Sequence, residues 1–181
     1  MGSGMGAAQQ VREQFEAHGE AVYRFVAVLV RHHQDAEDCV QETFLKLLRH
    51  LESGGDTSNL RGWLFTVAAH AARDRQRGRA RWVPWLADRD TRVSPAPSMP
   101  DEDGRLRIAR AALRQLPPRD RLLLALRAHG LSYRDIAAAS GIRPASVGRL
   151  LARAADRWHA AIRKDGHSYD LLERHSNPGA R

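Results

Sequence analysis

Apolar residues recur every three or four positions along most of the chain, which is the spacing of a helix with one buried face. In the first half this pattern covers residues 8–31, 35–51 and 60–79, and the glycine-containing turn SGGDTSN (53–59) precedes the third segment. Strict alternation of apolar and polar residues, the sign of a half-buried β-strand, is not found. The pattern therefore predicts an all-α fold.

A proline-containing segment without apolar periodicity divides the chain. Residues 83–104 hold four prolines and are predicted to form a flexible linker, and helices are expected to resume near Arg105. The predicted architecture is two small helical domains. Its segments are a short added sequence (1–6), a first domain (7–81), a linker (82–104), a second domain (105–164) and a polar C-terminal tail (165–181).

The second helix has an acidic beginning. Asp35 can cap it, and Asp38 stands three residues later, where a carboxylate also suits the helix dipole. Capping does not explain Gln41 and Glu42 farther along. This helix therefore carries one apolar face and one acidic face.

The stretch GLSYRDIAAASGIRPASVGRLLARAADRW (130–158) has the plan of a helix-turn-helix. Ser132 and Asp135 predict a capping box for the first helix, Gly141 supplies the sharp turn, and Pro144 begins the second helix. The second helix has an apolar inner face. Its outward stripe, suited to phosphates and guanine edges, consists of Arg149, Arg153 and Arg157.

Charge is distributed unevenly along this protein of net charge +8. Residues 1–60 contain 5 basic and 9 acidic residues, whereas residues 61–97 contain 8 and 3, and residues 98–181 contain 16 and 9. A basic remainder behind an acidic first part indicates two kinds of partner, of which the second is a nucleic acid.

Several other classes of protein do not fit the sequence. No apolar run is long enough for a membrane span and no signal-peptide pattern is present, so we expect a cytoplasmic protein without membrane insertion. Cys39, the single cysteine, is predicted to be a small buried hydrophobe. Adjacent side chains such as His32 and His33 point about 100° apart on a helix, which argues against a metal site. We predict no enzyme, metal or cofactor.

Two separate motifs resemble the extracytoplasmic-function group of bacterial sigma factors, in the right order. DAEDCVQETFLKLLRHL (35–51) and LRGWLFTVAAHAARDRQR (60–77) resemble that family's second conserved region. LRQLPPRDRLLLALRAHGLSYRDIAAASGIRPASVGRLLARA (113–154) resembles its fourth region. The resemblance implies a non-catalytic initiation factor that binds core RNA polymerase, recognises promoter DNA and assists its melting.

The resemblance also implies three sets of contact residues. A polymerase group would dock on the coiled coil of the β′ clamp: Asp35, Asp38, Gln41, Glu42 and Leu45. A minus-ten group would read the melted promoter strand: Asn59, Arg61, His70, Arg73 and Arg77. A minus-thirty-five group would read the upstream duplex, in the domain that meets the β flap: Ser132, Arg134, Arg143, Ser146, Arg149 and Arg153. An anti-sigma factor is the further partner that the family implies.

Some positions depart from the family or allow two interpretations. His70 stands where many members have Asn, and Gly148 stands in a run that is commonly Lys-Ser-Arg. Trp63 and Phe65 could stack on bases, although their pattern favours the core. The alternative function is a stand-alone helix-turn-helix regulator of duplex DNA, which would leave residues 35–77 without a role.

Overall fold

The computed structural model describes residues 6–30, 32–86 and 104–176, and every regular element in these ranges is a helix. This confirms the predicted all-α class. The linker prediction falls largely on residues 87–103, which lie outside the described residues. Within these described ranges the helices are α1 (Ala7–Leu29), α2 (His33–Glu52), α3 (Leu60–Leu86), α4 (Gly104–Gln115), α5 (Pro118–Ala128), α6 (Tyr133–Ser140) and α7 (Pro144–Ser176).

Helices α1 to α3 form the first domain around a shared apolar core. The rings of Phe25 on α1 and Phe65 on α3 meet edge to face, with centroids 5.2 Å apart, and both side chains are fully buried. Leu47 adds the apolar face of α2. Cys39 is also fully buried, and burial raises the pKa of its thiol to about 11. The predicted role of Cys39 as a buried hydrophobe is confirmed.

The predicted cap of α2 is wrong. The helix begins at His33, and its N-cap is His32, which is in the extended conformation and forms no side-chain cap hydrogen bond. Asp35 therefore lies within the first turn, with only 8% of its surface exposed. Its carboxylate instead faces Arg75 of α3, at 3.8 Å. Asp35 thus contributes charge inside the first domain.

Two helices are longer than the apolar pattern predicts. Helix α3 continues past Arg79 and through Pro84 to Leu86, into the segment expected to be linker. Helix α7 continues to Ser176, through most of the segment expected to be a polar tail. The remainder of that predicted tail, 177–181, lies outside the described residues, as do residues 1–5.

The second domain contains the predicted helix-turn-helix. Ser132 caps α6, and its hydroxyl oxygen accepts a hydrogen bond from the Asp135 backbone amide at 3.2 Å. Gly141 follows α6 with φ of 71°, in the left-handed region that favours glycine, and Pro144 begins α7. Each of these local predictions is confirmed, because caps and turns depend on residues close in sequence.

Helix α7 is held by packing against α4, α5 and α6. Val147 and Ala154 are fully buried on its inner face, and Leu151 is 7% exposed. Farther along, the indole Nε1 of Trp158 donates a hydrogen bond to the Ala109 carbonyl of α4 at 3.0 Å. These contacts fix the rotation of α7, so its outer face is defined.

The two domains also pack against each other. Helix α3 contacts α6, and α1 contacts α4 and α5. One apolar cluster continues across the boundary, from Phe25 and Phe65 to Leu126 and Ile136. This interdomain packing was not predicted from the sequence.

Candidate functional site

The polymerase group lies on the outer face of α2, with one exception. Gln41 is exposed, Leu45 is 57% exposed, and Asp35 is buried beneath them. Because α2 packs against α1 and α3, its remaining face is available to a partner. A groove on this face is named the acidic groove for Asp38 and Glu42, although three basic side chains accompany these two carboxylates. Its other lining residues are Gln41, Leu45, Lys46, Arg49 and Arg75.

Charges within the acidic groove are arranged by pairs. Asp38 accepts a hydrogen bond from Arg75 at 2.5 Å, and this bond holds the pKa of the Asp38 carboxyl below its usual range. Glu42 pairs with Lys46 at 2.7 Å, one turn farther along α2. The hydrogen bond from Arg75 therefore favours the ionised form of Asp38, and the ion pair with Lys46 orients Glu42, beside the exposed Leu45.

The loop before α3 is shaped by a compact set of hydrogen bonds. Asp56 accepts from the backbone amide and the hydroxyl of Ser58, both at 2.9 Å, and these bonds lower the pKa of the Asp56 carboxyl. His50 Nε2 donates to the Asp56 carbonyl at 2.9 Å, while its ring stacks on Trp63 with centroids 4.6 Å apart. A Cβ atom at Gly55 would lie 2.2 Å from the His50 ring, so the close approach requires glycine.

The two aromatic candidates for base stacking have different environments. Phe65 is fully buried, which confirms its core role. Trp63 is partly buried and one of its faces is taken by His50. Of these two aromatic side chains, only Trp63 is therefore partly exposed.

Three members of the minus-ten group share one face of α3. His70, Arg73 and Arg77 are three and four residues apart. His70 is exposed, and its pKa is lowered by partial desolvation and then by the nearby Arg73. A neutral imidazole can both donate and accept a hydrogen bond, as the asparagine common in the family can.

The minus-ten group also contacts the second domain. Asn59 Nδ2 donates to Asp135 Oδ1 at 2.8 Å, and Arg73 Nη2 donates to the Ala139 carbonyl at 2.9 Å. Arg61 donates to the carbonyl of His129. The sequence contains no signal for these partners, since they lie 66 to 76 residues away along the chain.

The four arginines of the minus-thirty-five group are exposed, and no hydrogen bond or ion pair joins them to another described residue: Arg134, Arg143, Arg149 and Arg153. Ser146 is half-buried, and the Ser132 hydroxyl is used in the α6 cap. Arg157, the third arginine of the predicted stripe, is also exposed, and it pairs with the buried carboxylate of Asp120, which is 1% exposed.

An aromatic contact beside this surface was not predicted from the sequence. Tyr133, 49% exposed, lies over α7 at Gly148, where a Cβ atom would be 3.5 Å from its ring. The Arg127 guanidinium lies 5.7 Å from the centre of the same ring. The ring thus covers the α7 backbone at the position where this chain lacks a side chain.

Other kinds of site find no support among the described residues. In that part of the chain, no group of three or more His, Cys, Asp and Glu side chains could hold a metal ion. His33, one of the conceivable ligands, contacts the Tyr23 hydroxyl and Glu37 instead. Within the same ranges, no helix has the length and apolar character needed to cross a bilayer.

Comparison with known proteins matches both halves of the chain to one family. Sigma-70 region 2 matches residues 14–82, and sigma-70 region 4 matches residues 106–157. The chain is 36% identical over 145 residues to the RNA polymerase sigma factor CarQ of Myxococcus xanthus, across 78% of this chain and 83% of CarQ.

The chain belongs to the extracytoplasmic-function group of sigma-70 factors.

A sigma factor of this group is a transcription initiation factor that directs core RNA polymerase to promoters. The chain is also 35% identical over 136 residues to the ECF RNA polymerase sigma factor SigE of Mycolicibacterium smegmatis, across 72% of this chain but only 52% of SigE. The family match to residues 14–82 accounts for the half that a stand-alone regulator would leave without a role.

Solved structures agree with this assignment. The sigma factor RpoE of Bartonella quintana, crystallised with the anti-sigma factor NepR, superposes with a TM-score of 0.72 and 27% identity, over 84% of this chain and 96% of RpoE. CnrH, in complex with the cytosolic domain of CnrY, gives a TM-score of 0.61 and 25% identity over 86% and 88% of the two chains.

Proposed function

We propose that this sigma factor divides its work between two surfaces. The acidic groove on α2 would bind the β′ clamp of core RNA polymerase, and the exposed arginines of α7 and its neighbours would bind the upstream promoter duplex. The minus-ten group would capture the melted strand. We assign no catalytic step to the chain itself, and its place of action would be the cytoplasm.

The observation that carries this proposal is that the two surfaces lie in different domains and differ in their exposed side chains. Helix α2 packs against α1 and α3 and presents Asp38, Gln41 and Glu42, whereas α7 packs against α4, α5 and α6 and presents Arg149 and Arg153. Acidic groups suit a basic protein partner, and the arginines suit phosphates. A protein with a single binding surface would not need a separate set of exposed polar side chains in each domain.

Exposed Leu45 gives the acidic groove a second means of recognition. A large apolar side chain that is 57% exposed gains from burial in an interface, while surrounding charges reject the wrong partners. The Asp38–Arg75 pair would orient the carboxylate before binding, which lowers the cost of ordering it in the complex.

An anti-sigma factor is the further partner that we propose. RpoE was crystallised with the anti-sigma factor NepR, and CnrH was solved in complex with the cytosolic domain of CnrY. A protein that covered the acidic groove or the arginine surface would prevent either contact.

The first experiment is gel filtration of the chain with bacterial core RNA polymerase lacking sigma. We expect co-elution near one to one, and loss of co-elution when Asp38, Gln41 and Glu42 are replaced by Ala. The matched control replaces Glu13 and Glu16, two exposed acids of α1 in the same domain, and should still co-elute.

Two further readouts make this experiment decisive. Circular dichroism melting would establish that the triple variant is folded, because Asp38 pairs with Arg75. Duplex DNA binding by the triple variant should be retained, since that contact belongs to the second domain. Equal loss of polymerase binding in the Glu13 and Glu16 control would refute the assignment of the acidic groove.

A further inference from the structure

His50, in the last turn of α2, organises the segment between α2 and α3, which we call the α2–α3 loop (residues 53–59). Its imidazole Nε2 donates a hydrogen bond to the Asp56 carbonyl at 2.9 Å. Its own carbonyl accepts hydrogen bonds from the Gly55 amide at 2.8 Å and from the Ser53 hydroxyl at 2.9 Å. One residue of α2 therefore holds three positions of the loop.

The His50 ring also connects the loop to α3. It stacks on the Trp63 indole in the first turn of α3, with centroids 4.6 Å apart and ring planes at 26°. On the loop, the Gly55 backbone comes so close that an added Cβ atom would lie 2.2 Å from the ring. A smaller side chain at position 50 would lose both of these contacts and the hydrogen bond to the loop.

The α2–α3 loop leads directly into the minus-ten group. Asn59 ends the loop, and its Oδ1 accepts a hydrogen bond from the Gly62 amide at 3.0 Å, as a helix cap does. Residues 56–59 are all exposed, and α3 carries the other members of the minus-ten group. The loop thus presents exposed polar groups beside the residues proposed to read the melted strand.

The order imposed on this loop has a consequence for binding. The loop contains two glycines, which allow a free chain many conformations. A loop that must be ordered during binding loses conformational entropy, whereas a loop ordered beforehand avoids that loss. Polar groups held in fixed places can also discriminate between bases, because a mismatched base leaves them without partners. The side chain that fixes the loop therefore influences both affinity and base preference.

We propose that His50 is a positioning residue for reading the melted promoter strand. Its side chain holds the α2–α3 loop against Trp63, in the shape in which the loop binds an unpaired base. His50 acts through the loop and needs no contact with DNA. The proposal rests on the proposed role of the minus-ten group, and it adds a residue that determines specificity on α2, the helix that also carries the acidic groove.

The base preference of the holoenzyme tests this role. The full chain and core polymerase would bind a fixed DNA duplex with a randomised 3′ single strand, about 12 nucleotides long. Sequencing of the bound DNA gives the preference at each unpaired position. We expect the wild-type chain to enrich one base at one or more positions. His50→Ala removes a hydrogen bond and an aromatic contact, and it should lower that enrichment by at least about threefold.

The matched control is Glu52→Ala, an exposed residue at the end of the same helix. It should keep the wild-type base preference. Both variants should co-elute with core polymerase, because neither residue lines the acidic groove, and circular dichroism melting would establish that both are folded. If His50→Ala weakened binding to all sequences equally and left the base preference unchanged, His50 would be a structural residue only, and the proposal would be overturned.

A second variant displaces the His50 ring without removing it. In Gly55→Ala the new Cβ would collide with the ring, which ends a side chain and can rotate away, so the protein should still fold. This variant should lower the enrichment as His50→Ala does. In a chain that already carries His50→Ala, the same change meets no ring and should have no further effect. Losses that multiply in the double variant would show two independent effects and would reject the proposal.

Failure of the positioning role can be distinguished from failure of the proposed function. If the wild-type holoenzyme enriches one base and His50→Ala enriches it equally, only the positioning role is wrong. If the wild-type holoenzyme binds the DNA without base preference, the role of the minus-ten group is wrong, and the positioning role is rejected with it. If the wild-type chain does not co-elute with core polymerase, the division of surfaces proposed above is wrong.

Discussion

The buried carboxylate of Asp120 on α5 is held by Arg157 on α7, 37 residues farther along the chain. Asp120 is 1% exposed, whereas the Arg157 side chain is 52% exposed. Arg119 lies 3.3 Å from the other carboxylate oxygen. The pair therefore joins α7 to the second domain's core, and it engages Arg157, the last arginine of the predicted stripe.

Replacing Arg157 should destabilise the protein because it removes a charged hydrogen bond from a buried carboxylate. We expect Arg157→Ala to lower the free energy of unfolding by about 1–3 kcal/mol in urea denaturation. Arg153→Ala, one turn earlier and exposed, is the control and should change stability by less than about 0.5 kcal/mol. If both variants lowered the free energy of unfolding equally, the ion pair between Arg157 and Asp120 would contribute nothing beyond surface charge.

Upstream DNA binding should depend on the exposed arginines of α7. Replacing Arg149 and Arg153 with Ala should weaken binding to promoter duplex and reduce the slope of log affinity against log salt concentration, by about 1 for each phosphate that an arginine no longer neutralises. The control is Arg163→Ala, an exposed arginine on the same helix. An unchanged salt slope in the double variant would show that these arginines do not meet phosphates.

Two of the glycines in the second domain should respond oppositely to replacement by alanine. Gly148 lies inside α7, and an added Cβ would make an ordinary contact with Tyr133 at 3.5 Å, so Gly148→Ala should stabilise by about 0.5–1 kcal/mol. Gly130 has φ of 72°, so Gly130→Ala should destabilise by about 1 kcal/mol. Urea denaturation of both variants checks the signs, and destabilisation by Gly148→Ala would indicate that the Tyr133 contact is tighter than observed.

Stability should fall as the pH is lowered below about 6.5, the ordinary pKa of histidine. The pKa of His129 is lowered by burial, then by Arg61 and Arg24, and its ring faces Phe25 and Phe65. The His129 imidazole binds a proton less readily in the folded chain than in the unfolded chain, so acid favours unfolding. Above pH 6.5 this imidazole is neutral in both states, and the loss of stability disappears.

Urea denaturation at pH 7.5 and pH 5.5 measures this dependence. His129→Phe should reduce the difference between the two pH values, because it keeps an aromatic ring in the same packing without a titrating group. His159→Gln, on an exposed part of α7, should not reduce it. A pH difference unaffected by His129→Phe would assign the effect to other histidines, of which His18 also has a lowered pKa.

The local elements of the second domain could be predicted because their causes are close in sequence. Ser132 and Asp135 are three residues apart, and Gly141 and Pro144 likewise lie within one turn of each other. The start of α2 was misjudged because Asp35 is an equally good cap and first-turn residue. Its burial against Arg75 depends on α3, and no pattern within α2 encodes it.

The sequence by itself determined the helical class, the division into two domains, and the separation of an acidic helix from an arginine-bearing one. Helical periodicity and capping are local, so they are readable along the chain. The tertiary structure alone decided which polar side chains find internal partners. Asn59 meets Asp135 across 76 residues, and Arg157 meets Asp120 across 37, because a charge is captured by whichever opposite group packing brings near it. That proximity is a property of the assembled core, and so is the contact between the two domains.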